Sequence, residues 1–327
     1  MDERKRERLE RLWHALERGE MPYEGDITAL SDLSGEALAR TARLWREAPE
    51  QVRRHLAHQL AVITPFTPEY SFLDLFRMML DDPDPRVVEA ALRGLADEEA
   101  DDYRLVEPLV RLLRGHTAEA VRAAAARTLA YLMAMGLEGK LPEARYHQAE
   151  EALLAAHRDA GESVEVRRRA LEAVAVAGGD VIAALIERAY RAEEPAMRIS
   201  ALYAMGAHGD KRRWQRPVMR ALYSSDPEVR YEAAVASGKL DLDEAVPALL
   251  DLTDDVDEEV RQAAILALGT IASSEAIRER LLTLLDDESE VIREVAEEAL
   301  ALFETFHPDA ERLKRLAEWL PPDKEQG

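Results

Sequence analysis

An all-α solenoid of about eight stacked helix pairs is the fold this sequence predicts, and three observations predict it. The first is a recurring phrase: an aliphatic residue, usually an arginine next, and an alanine three residues later. It stands at Val52-Arg53, Val87-Val88, Val121-Arg122, Val166-Arg167, Met197-Arg198, Val229-Arg230, Val260-Arg261 and Ile292-Arg293, in steps of 35, 34, 45, 31, 32, 31 and 32 residues. A period of that length marks tandem units that each pack only on their neighbours. The second is phase. At helical spacing Val229, Ala233 and Ser237 form one stripe, repeated as Val260, Ala264, Leu268, as Val121, Ala125, Leu129 and as Val166, Ala170, Val174. The middle position is alanine in seven of the eight repeats, and so small a side chain lets a second helix come close. The third is composition, 47% hydrophobic but only 6% aromatic, which suits close-packed helices better than sheets.

The elements follow in order. Residues 1–48 read as an N-terminal helical cap and connection: a charged helix over 1–19 with Leu9, Leu12, Trp13 and Leu16 at helical spacing, then a Gly- and Pro-bearing link over 20–32. The repeat array spans 49–303. Each phrase is preceded by another apolar helix, such as 106–113, 246–252 or 278–285, and an acidic turn joins the two: Asp81-Asp82-Pro83-Asp84, Asp254-Asp255-Val256-Asp257, Asp286-Asp287-Glu288-Ser289. Asp226-Pro227 is a helix-start signal, an N-cap followed by proline at the first helical position. Gly206, Gly238 and Gly269 come directly after the buried stripe and read as helix C-caps. The 45-residue step marks an insertion near 133–142, with Gly136 and Gly139, expected as a surface loop, after which 143–159 resumes as a longer first helix. Residues 304–327 are expected to hold a C-terminal capping helix from Pro308 to about Leu320 and a disordered tail.

The phrase over 226–234, Asp-Pro-Glu-Val-Arg-Tyr-Glu-Ala-Ala, together with Val260-Arg261-Gln262-Ala263-Ala264-Ile265-Leu266-Ala267-Leu268-Gly269, resembles a HEAT repeat. The short, Ala-rich units are similar to the bacterial HEAT-like type also found in phycobilisome lyases. The resemblance covers roughly residues 49–302. It implies a right-handed superhelix and a hydrogen-bonded ladder between the acidic turns and the arginines after the aliphatic positions. Asp255 with Arg261, Asp287 with Arg293, and Arg230 fit that pattern; Val88 and His116 depart from it, so an interruption is expected there. HEAT arrays serve as scaffolds, inhibitors, lyase subunits and a few enzymes, so the resemblance specifies fold far more than function.

Bulk chemistry narrows the function. The net charge of −22 opposes nucleic-acid binding, which needs a positive surface to displace counterions, and docking on an anionic membrane. The chain has no cysteine and no asparagine, and 37 arginines to 6 lysines; heat adaptation and a GC-rich genome explain this equally well. A charged N-terminus without an apolar secretory core, and no run long enough to span a bilayer, make the cytoplasm the expected compartment. None of the eight histidines is followed by glutamate, so the chain lacks the His-Glu pairs that HEAT-like di-iron hydroxylases use. His55 and His58 lie one turn apart and could share a metal in principle, but a lone pair reads as an ordinary surface or partly buried role. No phosphate-binding Gly-rich loop and no Gly-x-Ser-x-Gly elbow occurs. No catalytic constellation, cofactor or metal is expected.

Helical phase supplies the candidate site. Positions two and six after each aliphatic residue lie opposite the buried stripe, on the side expected to be concave. In order they are Glu89 and Arg93, Ala123 and Arg127, Arg168 and Glu172, Ile199 and Tyr203, Tyr231 and Val235, Gln262 and Leu266, Glu294 and Glu298. Three adjacent repeats thus present Ile199, Tyr203, Tyr231, Val235 and Leu266 where solvent is expected, and contiguous exposed apolar surface marks binding sites. The basic run over 211–216 adds Arg213 and Trp214, residue types enriched at interaction hot spots. The expected function is a non-catalytic scaffold binding a peptide or protein domain. The alternatives are a subunit of a lyase-type enzyme acting on a bound chromophore or protein and, disfavoured by charge, a nucleic-acid repair protein.

Overall fold

Aspartate, serine and proline set where the helices begin. Asp84 accepts from the Arg86 amide, Asp226 from Glu228, Asp257 from Glu259 and Val260, and Ser163 from Val166. Each side chain satisfies donors left free in a first turn. Pro85, Pro195 and Pro227 occupy first helical positions, where no amide is needed. The result, in a computed structural model describing residues 2–98, 102–271 and 274–306 (side chains to 305), is a chain of paired helices with no strand among the described residues. It forms two compact units, 1–177 and 178–327.

The first unit starts with α1 (Glu3–Glu17), which buries Leu9, Leu12, Trp13 and Leu16. Trp13 Nε1 donates to Thr41 Oγ1 at 2.8 Å, tying α1 to α2 (Gly35–Glu47). The link between them holds a 3-10 helix, Glu24–Leu30, that buries Ile27 and Leu30 and is anchored by Arg11 on Asp26 at 2.7 Å. Next come α3 (Glu50–Ile63), α4 (Leu73–Met79), α5 (Pro85–Asp97), α6 (Val106–Gly115), α7 (Glu119–Leu137), α8 (Glu143–Arg158) and α9 (Val164–Val174). Among the second helices α3 packs on α5, α5 on α7 and α7 on α9, with α4, α6 and α8 each packed on the second helix that follows it.

The second unit repeats this plan with α10 (Gly179–Tyr190), α11 (Pro195–His208), α12 (Lys211–Ala221), α13 (Pro227–Lys239), α14 (Val246–Leu252), α15 (Glu258–Thr270), α16 (Glu275–Leu284) and α17 (Glu290–Phe306). Here α11, α13, α15 and α17 form the row of second helices. Val121, Val166 and Val260 are fully buried, as are Ala125, Ala170, Ala233, Ala264 and Ala296. Val229 departs from its equivalents and is only half-buried. The expected capping helix after Pro308 and the tail lie outside the described residues.

Two expectations are corrected. The extra residues near 133–142 do not form a ten-residue loop. Their first half prolongs α7 to Leu137, burying Met133 and Met135, and only 138–142 connect to α8. The run Leu129 to Met135 is rich in strong helix formers, so continuing the helix beats looping out. Gly206, Gly238 and Gly269 are not C-caps. They sit inside α11, α13 and α15 without positive φ. A Cβ at Gly206 would lie 3.0 Å from Ala236 Cα, at Gly238 3.1 Å from Ala267 Cα, and at Gly269 2.6 Å from the Ala299 carbonyl oxygen. Each glycine therefore marks where the next second helix presses closest, backbone against backbone.

Candidate functional site

The stack is held at its turns by arginines with two tasks. Arg230 Nη1 donates to the Ser224 carbonyl of its own turn at 2.9 Å, while Nε and Nη2 form two parallel bonds of 2.7 Å to the Asp255 carboxylate of the next repeat. Arg53 does the same with the Ala48 carbonyl and Asp82, and Arg122 with the His116 carbonyl and Glu162. Such bidentate pairs fix both distance and orientation. The Arg230 guanidinium holds the Asp255 carboxyl below its usual range, and Arg122 does the same to Glu162.

This geometry corrects the expected ladder in detail. Arg261 and Arg293 reach the backbone carbonyls of Asp255 (3.0 Å) and Asp287 (2.8 Å), not their carboxylates. The Asp255 carboxylate already belongs to Arg230, one repeat earlier. The Asp287 carboxylate accepts from the Ser289 amide. The Val88 side chain carries no donor, and the His116 ring accepts from the Ala118 amide, so neither side chain supplies a rung, although the His116 carbonyl accepts from Arg122. Ser224 stands where the following repeat has Asp255, and among the described residues Arg198 donates to its own-turn carbonyls, those of Ala192 and Glu193.

With turns and buried stripes assigned, the remaining side of the second helices is the candidate site. In the second unit Ile199, Tyr203, Val235 and Leu266 are half-buried and Tyr231 is 37% exposed. They project from α11, α13 and α15, three helices packed in sequence. Lys239 Nζ lies 4.1 Å over the Tyr203 ring, a cation–π contact. A depression of about 240 Å³ is lined by Ile199, Pro227, Glu228, Tyr231, Glu232, Asp257 and Glu259. Burial, then the nearby Glu232 and Glu259, push the Tyr231 hydroxyl above its ordinary value. In the first unit the equivalent positions are polar or small: Arg93 and Arg127 are exposed, Ala123 is buried, and Arg168 pairs with Glu165 and Glu172.

The basic run over 211–216 divides. Trp214 is only 2% exposed. It packs edge-on against His208 at 5.6 Å, so it is a core residue and not a partner contact. The periodicity of α12 explains this, because Trp214, Val218 and Ala221 form its buried stripe. Arg213 stays at the surface and pairs with Asp180 at 3.0 Å. His55 is half-exposed and His58 exposed on α3. Among the described residues no cluster of three or more metal-ligating side chains occurs, and no helix is long and apolar enough to cross a membrane.

The complex of CpcE and CpcF of phycocyanin lyase from Nostoc sp. PCC7120 is similar in fold, with a TM-score of 0.53 at 18% identity, covering 76% of this chain and 94% of that one. Human deoxyhypusine hydroxylase in complex with glycerol gives 0.31 at 20% identity, over 92% and 97% of the two chains. An engineered protein gives 0.40 at 20% identity, over 86% and 84%. No curated protein is significantly similar to the chain. The profile of HEAT repeats matches residues 37–130, 72–146 and 216–301, more than half of the sequence. The chain therefore belongs to the HEAT-repeat family.

Proposed function

We propose that this protein is a non-catalytic interaction scaffold that binds a peptide or protein domain on the second helices of residues 178–306. One observation carries the reading: Ile199, Tyr203, Tyr231, Val235 and Leu266 stay partly exposed on three successive helices whose opposite faces carry buried stripes, the half-buried Val229 apart. Apolar side chains kept at the surface of an acidic, highly charged chain favour a partner that covers them. Tyrosine suits the role, with a rigid ring, few rotamers and a polar tip. The test is affinity capture from the native source with wild type and with Tyr203→Glu combined with Tyr231→Glu. The variant keeps its helical circular dichroism and loses the captured protein. Capture unchanged by the double substitution overturns the reading.

A second reading, a subunit of a lyase-type enzyme acting on a bound chromophore or protein, is supported by fold likeness to the phycocyanin lyase complex. Its test is optical: a visible absorption change on adding a linear tetrapyrrole supports it, and an unchanged spectrum removes it.

A further inference from the structure

The depression between α11, α13 and α15 has a chemistry that points to one kind of occupant. Its apolar and aromatic lining comes from Ile199, Pro227 and Tyr231. Its remaining lining residues, Glu228, Glu232, Asp257 and Glu259, are all carboxylates, and no basic residue lines it. Asp257 is committed to capping α15, whereas the Glu228 and Glu259 side chains are exposed. The same surface already shows how it engages a positive charge, since Lys239 stands over Tyr203. Tyr231, one helix along, presents an exposed ring with no cation over it among the described residues. An aromatic face between carboxylates attracts a guanidinium or ammonium through both ring quadrupole and Coulomb force.

Resting on the scaffold reading above, we propose that this depression receives a basic–apolar segment of a partner protein. An arginine or lysine lies over Tyr231 between Glu228 and Glu259, and an adjacent apolar side chain sits on Ile199 and Pro227. The apolar lining supplies desolvation, and the carboxylates select the sign of the partner's charge. An acidic or purely apolar segment would leave those carboxylates facing like charge or no charge.

The test uses the full chain and three fluorescein-labelled peptides of equal length, built on alternating Leu-Arg, Leu-Glu and Gly-Arg, read by fluorescence polarisation. The Leu-Arg peptide is expected to bind at least about tenfold more tightly than either other peptide. Glu228→Gln with Glu259→Gln, or Tyr231→Ser alone, weakens it about tenfold, while Glu244→Gln with Glu279→Gln, the same charge change on the first-helix side, alters it less than about twofold. Equal loss in both glutamine pairs shows diffuse attraction to an acidic protein and overturns the proposal. So does equal binding of the Leu-Glu peptide, or self-association of the full chain that Tyr231→Ser abolishes, which assigns the surface to a second copy. Native-partner capture that depends on Tyr203 and Tyr231 while the three peptides bind alike keeps the scaffold and removes only this charge preference.

Discussion

Arg230 and Asp255 lie in successive repeats and are joined by two hydrogen bonds of 2.7 Å, with side chains only 12% and 8% exposed. A third Arg230 bond, to the Ser224 carbonyl, fixes the guanidinium before it reaches across. The pair is thus a pre-aimed staple between neighbours. Asp255→Ala would leave a mostly buried cation with one backbone acceptor, and a loss of about 3 kcal/mol, the low end of the general cost of stranding a buried charge, is expected. Arg230→Lys should recover little, because an ammonium cannot form the parallel pair. Urea unfolding of the variants checks both, and wild-type stability for Asp255→Ala would show that the staple contributes nothing.

The same staples set an acid limit. The Asp255 and Glu162 carboxyls titrate below their ordinary values because Arg230 and Arg122 hydrogen-bond to their charged forms. A depressed folded value means the stabilisation is complete above the unfolded-chain value, about 3.9 for Asp and 4.3 for Glu, and is lost as pH falls through the folded value. Melting temperature should therefore be level near neutrality and fall below about pH 4. Asp255→Asn should melt below wild type at pH 7, with the gap narrowing as acid protonates the wild-type carboxylate. A gap that stays constant down to about pH 2 would detach Asp255 from this behaviour.

Period and phase made most of the fold legible, since a helical stripe is a one-dimensional pattern that the stack only has to repeat. Val121, Val166 and Val260 are buried where spacing put them, and positions two and six are partly exposed on every second helix except at Ala123. What spacing could not show depends on a neighbour's position in space. Gly206, Gly238 and Gly269 look like caps in a linear reading, yet the approach of the next helix is what requires them. Trp214 looked like a hot spot because it lies among arginines. Its spacing to Val218 and Ala221 was the signal that it faces inward. The partner of Arg230 lies 25 residues ahead, and only the stacking of repeats brings the two together.

Val260 and Val229 hold the same register position but differ in burial, the first fully buried and the second half-buried. Val260→Asp places an unpaired carboxylate in the stack and is expected to cost about 3–5 kcal/mol, against about 1–2 kcal/mol for Val229→Asp, whose charge can reach water. Chemical denaturation of the two variants side by side is the measurement. Equal losses would mean that Val229 is as enclosed as its equivalents.

Gly269 and Gly115 separate packing from helix propensity. Both lie in the last turn of a helix with φ negative. A methyl group at Gly115 meets nothing within 4 Å, whereas at Gly269 it would lie 2.6 Å from the Ala299 carbonyl oxygen and 2.9 Å from Ala299 Cα. Backbone cannot swing aside as a side chain can, so α17 must retreat from α15. Gly115→Ala should stabilise by about 0.5–1 kcal/mol, because the unfolded chain loses freedom at no steric cost. Gly269→Ala gains the same entropy but carries an overpacking penalty of about 1–3 kcal/mol, giving a net loss. Thermal melts of the two variants should move in opposite directions. A Gly269→Ala melt at or above wild type would show that α15 and α17 have slack at this contact, and that close backbone approach is not why glycine stands there.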